Sequence, residues 1–417
     1  MKKFLAMILA LVMALSLVAC GEKKDDTKTD DNQGDTTETT YKVAMITDYG
    51  DITDQSFNQT TYEACKAFAD ANGVEFSYFK PAGDNTADRV AMIESAVDQG
   101  YNVIVMPGYA FGGAIVEAAP QHKDVKFIAL DVGKGDLLEA GVAAKGEEYD
   151  YNPDNWNLAD YVDMSNVYCA IYQEELCGYM AGYAAVKLGY KNLGFLGGMA
   201  VPAVVRYGYG FVQGVDAAAA DMELTDVKVN YVYGGQFSGD ADITAVMDTW
   251  YAGGTQVVFA CGGGIFTSAV DAAKKVNAKV IGVDVDQAGV IANYAAGEGA
   301  DEATVESFKA LTVTSAMKGL YPATYDTLTD VIVNGNWDKY VGQIATLGLV
   351  SADDPTLNYV QIPMESTQWA DGAFTQDDYK ALVKEMFDGT LKVSNDITKG
   401  ASDFATVITV DDQGQIK

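Results

Sequence analysis

Short apolar runs alternate with helical stretches along this chain, once from Val43 to Asp131 and again from Leu193 to Val283, and this alternation limits what it can fold into. In the first round, Val43–Ile46, Val74–Phe79, Val103–Met106 and Val125–Asp131 have the length and continuity of strands buried on both faces. Helical spacing is predicted between them, over residues 57–72, 86–99 and 112–120. From Val132 to Ser165 the pattern lapses into a polar insertion bearing Gly and Tyr, after which 166–172 reads as a strand and 174–188 as a Gly/Ala-rich helix able to pack closely. The second round predicts strands at 193–196, 228–232, 257–260 and 280–283, with helices over 208–219, 242–252, 264–275 and 288–295. A strand at 311–313, a helix over 315–333, a strand at 359–363, a helix over 376–387 and a last strand at 406–410 complete the expectation. Strands alternating with helices form a parallel sheet covered on both faces. Two such rounds, followed by chain that crosses back, predict two α/β lobes with a cleft between them.

The N-terminal end belongs to targeting rather than to the fold. Lys2 and Lys3 precede the apolar run 4–18, which has the length and flanks of a secretion signal and is too short for a stable membrane span. It ends in Leu17-Val18-Ala19-Cys20, followed by Gly21, which resembles a bacterial lipobox with Cys20 as the lipidated residue. Residues 1–20 are therefore expected to be a lipoprotein signal peptide. Residues 21–40, rich in Asp, Thr and Lys without large apolar side chains, are expected to be a disordered tether. The protein is expected outside the cytoplasm, anchored to the cell membrane by lipid.

A formal net charge of -31 argues against nucleic acid as a partner, since phosphate must be neutralised by Lys and Arg. Besides Cys20, the four cysteines Cys65, Cys169, Cys177 and Cys261 form no CxxC and sit in apolar contexts. Buried free thiols are expected, with a Cys169–Cys177 disulfide as the alternative. One histidine, His122, leaves almost nothing for a catalytic triad or a His-based metal site.

The segment Ile46–Gln59, ITDYGDITDQSFNQ, follows the first strand, where ligands bind in open α/β sheets. It brings together three acids (Asp48, Asp51, Asp54), the flat face of Phe57 and the amides of Asn58 and Gln59. Such a set suits a planar ligand with N–H groups, such as a nucleobase, or a sugar ring. It also suits a plain N-capped helix with Phe57 in the core. Gly-rich turns end later strands at Pro107-Gly108-Tyr109, Gly197-Gly198-Met199 and Cys261-Gly262-Gly263-Gly264. No Gly-Lys-Ser/Thr completes a P-loop, and no GxGxxG opens the first unit, which disfavours nucleotide and dinucleotide enzymes.

Further motifs follow in order: Phe127-Ile128-Ala129-Leu130-Asp131, Tyr172-Gln173-Glu174-Glu175, Val204-Val205-Arg206-Tyr207, Gly282-Val283-Asp284-Val285-Asp286-Gln287 and Thr314-Ser315-Ala316-Met317-Lys318. Together with the lipobox and ITDYGDITDQSFNQ they resemble the basic membrane protein family of ABC-transporter substrate-binding lipoproteins, whose best-understood members are purine nucleoside receptors. The resemblance implies a type I periplasmic-binding-protein fold, with two doubly wound parallel-sheet lobes joined by a three-strand hinge that closes on ligand. It places lobe one at 41–173 with a return segment near 314–345, and lobe two at 174–313 with a C-terminal segment near 346–417. It implies a monomer that binds a purine nucleoside and hands it to ABC permease subunits, without cofactor, metal or catalysis. By motif position, Asp48 and Asn58 would bond the polar edges of the base. Phe57 and Tyr207 would stack on its two faces, and Asp131 would accept from purine N–H groups. Asp284 or Asp286, Gly262 and Lys318 would hold the ribose hydroxyls.

The residues alone also allow plainer roles. Asp131 would then cap a helix, Tyr207 belong to the core and Lys318 lie on the surface of its helix. A sugar receptor of the same fold uses similar side chains, and clustered carboxylates keep a nucleoside- or glycoside-hydrolysing enzyme in view. A Ca²⁺ site in 48–54 does not follow EF-hand spacing. Two features depart from the family pattern. Tyr207 stands where a Phe is expected and needs a partner for its hydroxyl, and the stretch 133–164 is long and aromatic.

Overall fold

The computed structural model describes residues 40–416. The expected signal peptide, Cys20 and the tether up to residue 39 lie outside the described residues. No helix among the described residues is long and apolar enough to cross a membrane.

Two sheets carry the fold. The first contains β1 (Lys42–Ile46), β2 (Glu75–Phe79), β3 (Val103–Pro107), β4 (Lys126–Leu130) and β5 (Val167–Tyr172). The second contains β6 (Asn192–Gly197), β7 (Lys228–Tyr233), β8 (Val257–Cys261), β9 (Lys279–Asp284) and β10 (Thr312–Lys318). Late strands complete both: β11 (Ile344–Leu347) joins the first, and β12 (Val360–Gln361) and β13 (Thr409–Gln415) join the second. The orders are β11-β5-β4-β3-β1-β2 and β12-β10-β9-β8-β6-β7-β13. Each half thus winds outward from its first strand in the same 2-1-3-4-5 order, with a switch point where ligands bind. Every pairing is parallel except β12 against β10. This is the expected doubly wound, two-lobed architecture.

The chain crosses between the sheets three times: after β5, after β10 and after β11. One contiguous apolar core joins the halves, running from Val43 and Phe68 to Phe259 and Val383. The helix Glu174–Lys187 follows the first crossing and is almost wholly buried. It packs on the helix Pro202–Asp221 through two reciprocal glycine pairs. A Cβ at Gly178 or Gly182 would lie 2.2 or 2.3 Å from the carbonyl oxygens of Tyr207 or Phe211. One at Gly210 or Gly214 would lie 2.1 Å from those of Glu175 or Tyr179. The four cysteines in the described residues are buried free thiols.

Three sequence expectations are corrected. Residues 315–318 are strand, not helix, and belong to the second sheet through β9, so the return to the first sheet begins after Lys318 rather than at 314. The run Thr-Val-Thr-Ser-Ala is β-prone and fully buried, and Gly319 ends it before the helix Leu320–Leu328. The second-round helix starts at Pro202 instead of 208, because proline suits the first helical turn, and this puts Arg206 and Tyr207 on a helix. The stretch 133–164 begins with a helix, Lys134–Ala144. Its aromatic residues then pack on one another, with Trp156 5.7 Å from Tyr149 and 5.3 Å from Tyr161 between ring centroids.

Candidate ligand-binding cleft

A cavity of about 470 Å³ lies where the carboxyl ends of the two sheets face each other, within the range of small-molecule sites. From the first half it is lined by Asp48, Tyr49 and Gly50 after β1, Gly108 and Tyr109 after β3, Asp131 after β4, and Asp51, Asp54, Phe57 and Asn58 around the start of the helix Phe57–Asn72. From the second it is lined by Tyr207, Phe237, Gly262, Asp284 and Lys318, among others. None of residues 133–164 lines it.

The first wall is built by its own acids. The Asp48 carboxylate accepts from the backbone N–H groups of Tyr49 and Gly50, both at 2.7 Å, and from the Asn58 amide at 3.3 Å. The Asp54 carboxylate accepts from the N–H groups of Ser56, Asn58 and Gln59 at 3.0, 2.9 and 3.0 Å, so it is the cap of the Phe57–Asn72 helix. Asp51 pairs with Lys80 at 2.9 Å near the surface. Asn58 Oδ1 is buried and finds no hydrogen-bond partner among the described residues.

At the centre lies Lys318, with 4% of its side chain exposed. Its ammonium donates to Asp131 Oδ2 at 2.5 Å and stands 3.7 Å from both Asp284 Oδ1 and Glu174 Oε1. Burial would lower its pKa, but the carboxylates of Asp131, Asp284 and Glu174 outweigh this and raise it, so the ammonium stays charged. Asp131 and Asp284 occupy equivalent turns of the two halves, each after a Lys-x-Ile-x-x run: Lys126-Phe127-Ile128-Ala129-Leu130-Asp131 and Lys279-Val280-Ile281-Gly282-Val283-Asp284. Both are left-handed, with φ of 58° and 63°. One lysine thus joins matching aspartates from the two lobes. Asp131 Oδ1 and Glu174 Oε1 have no hydrogen-bond partner among the described residues. Glu174 is itself tied to Arg206 Nε at 2.7 Å, and burial raises its pKa against the pull of Arg206 and Lys318.

Several carried-over roles change in this geometry. Lys318 is a buried strand residue, not one on a helix surface. Asp131 and the Asp284–Lys318 pair, assigned to separate ends of the ligand, form one cluster. Asp286 is exposed and accepts from the Ala288 N–H at 3.1 Å, so Asp284 is the aspartate that faces the cleft. Tyr207 is 1% exposed, and its hydroxyl finds Asp284 at 3.4 Å. The Lys318 ammonium sits over both rings meant to enclose the ligand, 4.7 Å from the centroid of Phe57 and 5.7 Å from that of Tyr207.

Sequence reading missed Phe237 as an aromatic of the second wall. It is half-buried and rests against Gly198 and Gly262, where a Cβ would lie 2.4 and 2.8 Å from its ring. Gly262 has φ of 149°, so its lack of a side chain serves both the turn and the ring. The signal was present: Phe237 follows a Gly234-Gly235 turn just beyond β7. Glu174 and Arg206 stood in quoted motifs but were given no role.

The family described as ABC transporter substrate-binding protein, PnrA-like, matches residues 41–353. The chain belongs to that family. It is 27% identical over 314 residues to the ABC transporter nucleoside-binding protein BmpA of Lactococcus lactis, covering 72% of this chain and 79% of the relative. It is 24% identical to an uncharacterised lipoprotein of Pyrococcus abyssi, covering 92% and 85%. A solved ABC-transporter solute-binding protein from Aeropyrum pernix shares the fold, with a TM-score of 0.60, 19% identity and coverage of 87% and 90%. As a substrate-binding protein of an ABC transporter, the chain takes a small-molecule ligand and works with permease subunits.

Proposed function

We propose that this protein captures a purine nucleoside outside the cytoplasm and delivers it, unaltered, to an ABC importer. In this reading it is a monomer anchored through lipid at Cys20, with residues 21–40 as its tether. Lobe one comprises 41–173 and 319–347, and lobe two 174–318 and 348–417. The observation that carries the ligand class is the charge of the cavity. Five carboxylates line it (Asp48, Asp51, Asp54, Asp131 and Asp284) against the single ammonium of Lys318, which Asp131 and Asp284 already engage.

Acceptors without partners at Asp131 Oδ1 and Asn58 Oδ1 call for a ligand rich in N–H and O–H donors. Phosphate would face like charge and is disfavoured. Phe57 and Phe237, one from each half, offer flat faces to a base, a contact worth about 1–3 kcal/mol. A carboxylate at the N1–H edge favours hypoxanthine or guanine over adenine, whose N1 accepts; the mismatch costs about 1–3 kcal/mol. The name of the Lactococcus relative points the same way.

Calorimetric titration against nucleosides, bases, nucleoside monophosphates and sugars tests the proposal. Inosine or guanosine at about 100 times its Kd should stabilise the fold by about 2.7 kcal/mol, with the monophosphates silent. A response to a sugar with none to any nucleoside overturns the ligand class. Release of free base from a bound nucleoside would make the protein an enzyme instead.

A further inference from the structure

The geometry points to Ser56 as a positioning residue that latches the two lobes together by bonding Asp284 across the cleft. Ser56 is fully buried and occupies the N-cap position of the helix Phe57–Asn72, where a serine ordinarily accepts from the helix's own N–H groups. Its side chain makes no such bond. Asp54 does the capping instead, accepting from Ser56, Asn58 and Gln59. The serine hydroxyl is left free to donate to Asp284 Oδ2 at 2.6 Å, 228 residues away and in the opposite half. That length is typical of an O–H donor on a charged carboxylate.

Ser56 does not line the cavity, so it acts on ligand only through Asp284, whose other oxygen receives Tyr207 and faces Lys318. Beside it, the Gln287 amide reaches the Gln55 carbonyl at 3.4 Å, so the same two turns meet twice. When the lobes part, Asp284 and the Ser56 hydroxyl both return to water and the bond is lost. It therefore favours the closed state alone, and it also fixes the rotamer of a carboxylate held at a positive φ. Closed-state contacts that the ligand does not touch raise affinity by enlarging the binding-competent fraction.

This inference rests on the reading that a nucleoside is captured by closure, and the test separates the two. Wild type and Ser56→Ala are titrated with the same panel of purine nucleosides, and ligand-free thermal unfolding is recorded for both. The expected result is affinity weakened roughly tenfold for every nucleoside that binds, faster release, an unchanged ranking and an unchanged ligand-free melting temperature. Ser56→Thr, which keeps the hydroxyl, should recover most of the loss. Equal affinities in wild type and Ser56→Ala overturn the latch and leave the ligand class standing. An altered ranking makes Ser56 a ligand contact, and a lowered ligand-free melting temperature makes it a structural residue; either overturns the latch. A wild type that binds no nucleoside overturns the ligand class and the latch with it.

Discussion

Asp131 and Asp284 hold backbone angles that few residues other than glycine adopt, and each aims its carboxylate at the same lysine. Aspartate tolerates the left-handed region better than most side chains, so the turn and the charge are compatible. Removing one charge while keeping the shape isolates its role. Asp131→Asn should weaken nucleoside binding by roughly 10- to 100-fold while moving the ligand-free melting temperature little, because Lys318 keeps Asp284 and Glu174 beside it. Equal losses of affinity and stability would make Asp131 structural. Glu175 gives a pH signature. Burial and the neighbouring Glu174 push its pKa up to about 7, and its Oε2 is buried without a hydrogen-bond partner among the described residues. A carboxyl whose pKa is raised on folding is protonated in the folded state while the unfolded chain has already ionised. Stability should therefore fall as pH rises from about 4.5 to about 7, and level off above. Asp136, pushed up to about 6 by burial, adds to the lower part of that slope. In denaturant titrations at pH 5 and 8, Glu175→Gln should flatten the slope and gain on the order of 2–3 kcal/mol over wild type at pH 8. At this scale Asp48 and Asp131 were legible as polar residues at strand ends, and Lys318 only through its motif, since 315–333 read as a helix. The cluster of Asp131, Asp284 and Lys318 was not, because contacts between residues 131, 284 and 318 depend on how the lobes meet.

The helices Glu174–Lys187 and Pro202–Asp221 approach closely enough for backbone to touch backbone, and that closeness puts Arg206 against Glu174 at 2.7 Å. Each helix carries glycines four apart, Gly178/Gly182 and Gly210/Gly214, and each pair receives the carbonyls of the other helix. Gly182→Ala would force a Cβ to within 2.3 Å of the Phe211 oxygen, which no rotamer change relieves. A loss of about 2–4 kcal/mol is expected by chemical denaturation, accompanied by weaker nucleoside binding as Glu174 and Arg206 separate. A melting curve unchanged from wild type would show that the helices part without cost. The strands and helices of both rounds were readable because apolar runs and amphipathic spacing are local properties. Residues 315–318 were misread because a short buried run of Thr, Ser and Ala has no period that separates strand from helix. Pairing with β9 decides it. The Gly/Ala-rich pattern announced close packing, but the partner helix lay outside any local window.

Taken whole, polar contacts span the two halves of the closed molecule: Lys318 with Asp131, Ser56 with Asp284 and Gln287 with Gln55. If the lobes close on ligand by a hinge motion about the three crossings, small-angle scattering should show the radius of gyration fall when a nucleoside is added. An unchanged radius on saturation would mean that the cleft is already shut without ligand. Because each sheet receives its outer strands from distant parts of the chain, the crossings also bear on how the protein is made. In the first sheet residues 344–347 cover β5, and in the second β13 pairs with β7 beside Asp216, which accepts the N–H groups of Thr406 and Val407. Pairings between such remote segments slow folding. A newly made chain therefore cannot complete either sheet until residues 344–347 and 409–415 have emerged.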